Sequence, residues 1–82
     1  MPKITIIKKS SRPSKGRPLK AKISGLSNPQ KKFLFSFLLK KEDVWIDTVY
    51  SDDYLEEYII TAEFYGIVSF VETRTILSRY EK

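Results

Sequence analysis

The most regular hydrophobic pattern in this chain lies in the segment 51–68. Its apolar positions recur at intervals of three and four residues, which is the spacing of one face of an α-helix. Ser51 can cap such a helix, acidic residues in the first turn are favourable there, and Gly66 offers an end with a positive φ angle. We therefore predict a helix whose inner face consists of Leu55, Tyr58, Ile59, Ala62 and Tyr65.

Other segments predict further elements around this helix. Ser27 or Asn28 can cap an earlier helix that has Pro29 in its first turn and a wide apolar face over residues 33–39. The β-branched and aromatic run 44–50 predicts a strand. Residues 67–71 and 75–80 predict a hairpin across residues 72–74. Whether residues 3–8 form a strand as well stays open.

The resulting order is helix, strand, helix, hairpin, which is a winged-helix-like order. We predict an α+β fold in which two helices pack on a small three-stranded antiparallel sheet. Residues 1–26 are predicted to be an extended basic N-terminal arm, and residues 27–82 a small globular domain.

The charge distribution divides the chain into two unlike halves. Residues 1–41 carry twelve Lys and Arg and no acid, so their formal charge is +12. Residues 42–82 carry three Lys and Arg and ten Asp and Glu, which gives −7. The two halves are therefore expected to face different partners.

The segment 8–22 is the most basic part of the first half. Pro13, Gly16 and Pro18 interrupt any helix or strand there, and few apolar side chains are present to offset the ordering of the backbone. On a polyanion the ten cations of residues 1–32 would release counterions, with a salt exponent of about −4 to −6 if half of them make contact. A solvated tail and a cleaved targeting peptide are the alternatives to a nucleic-acid-binding arm.

Candidate site residues follow from this charge distribution. Lys31 and Lys32 have a second interpretation as charges that belong to the first helix alone. Trp45 is interpreted as a core or rim residue rather than a base-stacking one. Five tyrosines could stack on bases, although the spacing of Tyr58 and Tyr65 favours the core for these two: Tyr50, Tyr54, Tyr58, Tyr65 and Tyr80. The acids predicted to contact proteins are Asp52, Asp53, Glu56 and Glu57. The predicted nucleic-acid contacts are Lys8, Lys9, Arg12, Lys15, Arg17, Lys20, Lys22, Lys31, Lys32, Arg74 and Arg79.

Two families have a similar order of elements. The string Gly66-Ile67-Val68 is similar to the Gly-Leu-Ile that often joins recognition helix and wing in winged-helix domains, and that resemblance implies DNA binding. The five acids of the predicted helix oppose its entry into a groove, so the arm would have to bind the DNA.

The chain also resembles the N-terminal half of the ribosomal small-subunit protein eight family. There an apolar strand leads through a serine to a helix that ends in Gly-Tyr-Ile and continues to Phe-Glu. The matching positions are Val44 to Ile46, Ser51, Gly66, Val68, Val71 and Glu72, with Leu26-Ser27-Asn28 at the start of the first helix. This resemblance implies an RNA-associated ribosomal protein. Separately, Lys15-Gly16-Arg17-Pro18 is similar to the core of an AT-hook.

The residue types present restrict the chemistry. The chain has no cysteine and no histidine, and it contains no P-loop, dinucleotide or nucleophile-elbow motif. Asp52 with Glu56 and Asp53 with Glu57 could hold a hard cation, but acids are favourable at a helix start without one. We expect no catalytic residue, metal, cofactor, small-molecule substrate or membrane contact.

The sequence therefore predicts a non-enzymatic nucleic-acid-binding protein, with RNA favoured over DNA and a ribosomal type favoured among RNA-associated proteins. A winged-helix transcription or chromatin factor of viral or archaeal type is the alternative. A protein-interaction adaptor that uses the acidic segment is the third hypothesis. The expected location is intracellular, on ribosomes or nucleoid, with an organelle left open.

Overall fold

Two consecutive ββα units make up the fold in the computed structural model, which describes residues 2–54 and 56–80. The first unit consists of β1 (Lys3–Lys8), β2 (Leu19–Leu26) and α1 (Asn28–Leu39). The second consists of β3 (Val44–Asp52), β4 (Glu57–Phe64) and α2 (Ile67–Tyr80). The described fold is therefore α+β, with two helices and four strands.

The four strands form one antiparallel sheet in the order β1-β2-β4-β3. The second strand of each unit lies in the centre, where Ala21 pairs with Ala62, and the first strand of each unit forms an edge. Residues 19–26 and 60–67 share apolar residues at matching positions and share an alanine and a glycine. The two units thus repeat one pattern around the centre of the sheet.

Both helices cover the same face of the sheet. Alternate residues of β2 and β4 point to that face and are buried, as expected for strands with one side on a core. The buried apolar residues from both units form a single cluster, so the two units share one core. Its members are Leu19, Ala21, Ile23, Leu26, Leu34, Leu38, Ile60, Ala62, Phe64, Phe70 and Leu77.

The helix predicted in the segment 51–68 is wrong. This segment contains the end of β3, the whole of β4 and the first two residues of α2. Leu55, a predicted member of the inner helix face, lies outside the described residues. Apolar residues at 58, 60, 62 and 64 alternate with residues of the opposite face, and this period of two competes with the helical spacing. Residues 57–64 form a strand and not a helix because they pair with β2 on one side and with β3 on the other.

The predicted hairpin at residues 67–80 is also wrong, because this segment is helix α2. Its β-branched residues favour strands locally, yet Phe70, Thr73 and Leu77 recur at helical spacing and are buried against the sheet. The Thr73 hydroxyl donates to the Ser69 carbonyl at 2.8 Å, so its burial leaves no unpaired hydroxyl. Packing of this face therefore overrode local propensity.

The predicted extended arm over residues 1–26 is wrong as well. Residues 3–8 form an edge strand, which answers the question left open by the sequence. Residues 19–26 form a central strand with Leu19, Ala21 and Ile23 at most 3% exposed. The boundary drawn between residues 26 and 27 thus falls directly after a central strand of the sheet. The predicted winged-helix-like order and the predicted three-stranded sheet are therefore wrong too. The described chain has the order strand, strand, helix, strand, strand, helix and a four-stranded sheet.

Two predicted elements are confirmed. Helix α1 begins after Ser27, whose hydroxyl accepts from the Gln30 amide at 3.3 Å while the Gln30 side chain accepts from the Ser27 amide at 3.0 Å. This reciprocal arrangement is a capping box. The strand predicted at residues 44–50 is β3, which extends to Asp52.

Two glycines occupy matching positions in the units but have different roles. Gly25 has a φ of 73° at the irregularity in β2, where an L side chain is strained. Gly66 does not have the predicted positive φ. The position requires glycine because a Cβ atom there would overlap the Asp43 carboxylate. An oxygen of this carboxylate accepts a hydrogen bond from the Ser69 hydroxyl at 2.5 Å.

Candidate nucleic-acid interface

The connection between β1 and β2, residues 9–18, is a folded loop. Ser14 and Arg17 exchange two backbone hydrogen bonds of 3.1 Å, which closes a tight turn with Lys15 and Gly16 at its tip. No residue of this loop is buried, and it contains no acid. The cations of the predicted arm are therefore presented by a structured hairpin loop.

This loop surrounds a hollow of about 880 Å³, which we call the basic hollow. Four of its eight lining residues are cationic, none is acidic, and two carry hydroxyl groups. Clustered cations concentrate positive potential, and the hollow is therefore suited to a phosphate group. Its lining residues are Lys8, Lys9, Ser10, Ser11, Arg12, Gly16, Arg17 and Pro18.

Lys15 has a different environment from the other cations of the loop. It lines a second hollow, of about 430 Å³, together with Glu42, Asp43 and Tyr65. Two acids beside it lower the local positive potential. Among the predicted contacts on the loop, Lys15 is thus the least suited to phosphate.

Lys20 and Lys22 lie on the face of the sheet opposite the helices, which we call the open face. They alternate with the buried residues of β2, so their side chains point away from the core. The Lys20 ammonium pairs with the Asp47 carboxylate at 3.1 Å, whereas Lys22 is exposed and is paired across the sheet with Thr5 and Thr61. The structure thus brings seven predicted contacts together on the loop and the adjoining strands.

Four other predicted contacts lie in the helical layer, on the far side of the sheet. The Lys31 ammonium is 4.7 Å from the centre of the Tyr58 ring, and the Arg74 guanidinium is 5.9 Å from that of Phe70. Lys32 and Arg79 are exposed on α1 and α2. The helical layer faces away from the open face, so these four residues do not join the other seven in one surface.

Two exposed aromatic residues extend the open face along β3. Trp45 is 62% exposed and Tyr50 is 60% exposed. A bulge between Ile46 and Thr48 shifts the alternation, so that both rings point to the open face although five positions separate them. Regular alternation along a strand without a bulge would put Trp45 and Tyr50 on opposite faces. Of the two positions predicted for Trp45, the core is therefore wrong, and the ring lies exposed on an edge strand of the sheet.

The predicted protein-contact acids lie together in the β3–β4 turn, at the other end of the sheet from the basic loop. The Tyr54 amide donates to the Asp52 carboxylate at 3.1 Å, and the Ser51 hydroxyl donates to Asp53 at 2.9 Å. These acids close a turn and do not start a helix. Glu56 has a φ of 54° there, and Glu57 begins β4.

Signs of other chemistry are few in the described ranges. No group of three His, Cys, Asp or Glu side chains that could hold a metal ion occurs in residues 2–54 and 56–80. No helix in this part of the chain is long and apolar enough to cross a membrane. Partial burial raises the pKa of the Tyr80 hydroxyl above its ordinary value.

Comparison of the chain with protein-family models, with curated proteins and with solved structures found no match.

Proposed function

We propose that this protein binds nucleic acid through the basic hollow and the neighbouring cations of the open face. The observation that carries the proposal is the convergence of Lys8, Lys9, Arg12 and Arg17 on one hollow without an acid. Contacts between cations and phosphates supply most of the non-specific affinity for nucleic acids. The protein acts in this proposal by binding and not by catalysis.

The position of the predicted protein-contact acids also supports nucleic-acid binding at the basic loop. The acidic β3–β4 turn lies at the opposite end of the sheet from the basic loop, because β2 and β4 are antiparallel partners. A bound polyanion at the loop is therefore separated from the four acids Asp52, Asp53, Glu56 and Glu57. The acidic turn then faces solvent or a protein neighbour, as the sequence predicts.

We propose RNA as the preferred nucleic acid. A concentrated basic loop with a globular body behind it suits insertion between phosphates of a compact RNA, where many backbone groups are within reach. A ribosomal particle remains the proposed setting for this binding, and cosedimentation of the protein with ribosomal fractions tests it.

The binding proposal is tested by removing charge on the two sides of the molecule in matched amounts. The affinity of the variant Lys9→Ala with Arg12→Ala is measured for an RNA of about 20 nucleotides by fluorescence anisotropy over a salt series. Two lost phosphate contacts should reduce the salt exponent by about 1.4–1.8 and the affinity about 30-fold at ~0.1 M salt.

The control is Lys32→Ala with Lys40→Ala, which removes the same charge from exposed positions on and next to α1. Its affinity should stay within about twofold of the unmodified protein, because distant exposed charges are screened. Equal losses in both variants would mean that only net charge matters and would contradict the proposed site. Tighter binding to duplex DNA than to RNA would contradict the proposal that RNA is the preferred nucleic acid.

A further inference from the structure

The open face consists of two unlike strips. Its β1 and β2 side carries Lys8, Lys20 and Lys22 and no acid among the described residues. Its β4 and β3 side carries the exposed rings of Trp45 and Tyr50. A cationic strip and an aromatic strip thus lie side by side on one surface of the sheet.

The aromatic strip is not part of the core. The neighbours of Trp45 along β3, Val44 and Ile46, pack against the core on the other face of the sheet. The cross-strand partners of the two rings are Glu63 and Ile59, and no helix of the described chain covers this face. Most of both ring surfaces therefore remains free for a ligand.

We propose that Trp45 and Tyr50 stack on unpaired bases, so that the ligand is a single-stranded or looped nucleic acid. This inference rests on the proposed function and names the class of nucleic acid. Flat aromatic side chains bind bases of any sequence through their faces, but only bases that are not held inside a duplex expose a face.

The spacing of the two strips is compatible with one strand of nucleic acid. Neighbouring strands of a sheet are about 4.8 Å apart, so β2 and β3 are separated by roughly 10 Å across β4. A phosphate on Lys22 would leave its base pointing towards β3, whereas the Lys20 ammonium is paired with Asp47.

The acids on the β4 and β3 side of the open face also favour phosphates near β2 and bases near β3. Asp47 is paired with Lys20, and Glu63 lies opposite Trp45, so a phosphate is disfavoured beside the ring. Trp45 and Tyr50 are roughly 13–17 Å apart along the strand, given the rise of a β-strand. The two rings would therefore contact different bases.

Trp45 is the sole tryptophan of the chain, so its fluorescence reports directly on this strip. The test titrates the full chain with three oligomers of equal length: a single-stranded RNA, an abasic strand with the same phosphates, and a duplex. The single strand should change the Trp45 emission and bind at least about fivefold more tightly than the abasic strand, because base stacking adds to the phosphate contacts.

Variants give a second readout. Trp45→Ala should weaken binding to the single strand between about five- and a hundredfold and leave binding to the abasic strand unchanged. Trp45→Phe retains a ring and should retain part of the affinity. The matched control is Tyr54→Ala, because Tyr54 is 94% exposed but lies in the acidic turn.

The two proposals fail in different ways. Equal affinity for the abasic strand and the RNA, an unchanged Trp45 emission on binding, or tighter binding to the duplex would each overturn the stacking inference. Those results would leave phosphate binding by the loop intact. Absence of binding to all three oligomers would overturn the proposed function and the stacking inference together.

Discussion

The two ββα units share a strand and helix order but differ in the connection between their strands. In the first unit, a basic loop of residues 9–18 joins β1 to β2. In the second, the connection from β3 to β4 carries Asp53 and Glu56 and is short and acidic. Both central strands contribute alternating buried residues to one core.

The two units have the pattern of apolar residues in common and differ in the charge of the connection between their strands. The shared pattern of apolar residues builds the sheet and its core, so neither unit can bury its apolar face alone. The unlike connections place positive charge at one end of the sheet and negative charge at the other. We infer that the units have a common structural role and that phosphate binding belongs mainly to the first.

The largest expected effect is that of deleting residues 1–26. The sequence alone predicts that the remaining chain folds, whereas the structure predicts that it does not. The deletion removes β2 and with it Leu19, Ala21, Ile23 and Leu26 from the shared core. Circular dichroism with thermal unfolding of the fragment should show no cooperative transition, and a fragment that unfolds cooperatively would contradict the single core.

The matching glycines of the two units give the next largest effect. Gly25→Ala should cost about 1–2 kcal/mol of the free energy of unfolding, because its φ of 73° is unfavourable for alanine. Gly66→Ala should cost about 1–3 kcal/mol, because the added methyl group overlaps the Asp43 carboxylate. Urea unfolding of each variant measures both costs.

A double-mutant cycle separates the two causes. In an Asp43→Ala background the overlap at Gly66 is removed, so Gly66→Ala should cost less there, while Gly25→Ala should cost the same. Equal costs of Gly66→Ala in the two backgrounds would contradict the close approach of Asp43.

The smallest expected effect concerns the acidic turn. Glu56→Gly should stabilise the protein by about 0.4–1 kcal/mol, because Glu56 has a φ of 54° that glycine adopts without strain. The control is Glu57→Gly, which lies in β4 and should destabilise by about 0.5–1 kcal/mol. Both substitutions remove one negative charge, so effects of the same sign in thermal unfolding would mean that charge, and not backbone strain, determines the outcome.

Local signals in the sequence were sufficient for some elements. Helix α1 could be predicted because its cap involves residues three positions apart, Ser27 and Gln30, with Pro29 between them. Strand β3 could be predicted because its β-branched and aromatic residues leave no competing helical pattern.

The remaining elements depended on contacts distant in sequence. In β4, the residues Tyr58 and Ala62 fit both a helical and an alternating pattern, and pairing with two neighbouring strands decided between them. In β2, the alternation of Leu19, Ala21 and Ile23 was present but was obscured by lysines, which a composition-based interpretation assigns to a disordered arm. Alternation within a basic segment was the signal that could have identified this central strand.

The sequence was likewise sufficient to predict only one part of the candidate site. The charges of the basic loop follow from composition, so its cations could be named from the sequence. The exposure of Trp45 and Tyr50 depends on which face the helices cover and on the bulge between Ile46 and Thr48. Neither of these is set by residues close in sequence, and the face of the two rings could not be derived from the strand pattern.

The most direct test of the central claim is to replace residues 9–18 with the uncharged sequence Gly-Asn-Gly-Ser and measure folding and RNA affinity of the same variant. No side chain of the loop is buried, so cooperative thermal unfolding should be retained. The loss of Lys9, Arg12 and Arg17 from the basic hollow should reduce RNA affinity on the order of a few hundredfold at ~0.1 M salt. A folded variant that binds RNA as tightly as the unmodified protein would contradict the assignment of phosphate binding to the basic loop of the first unit.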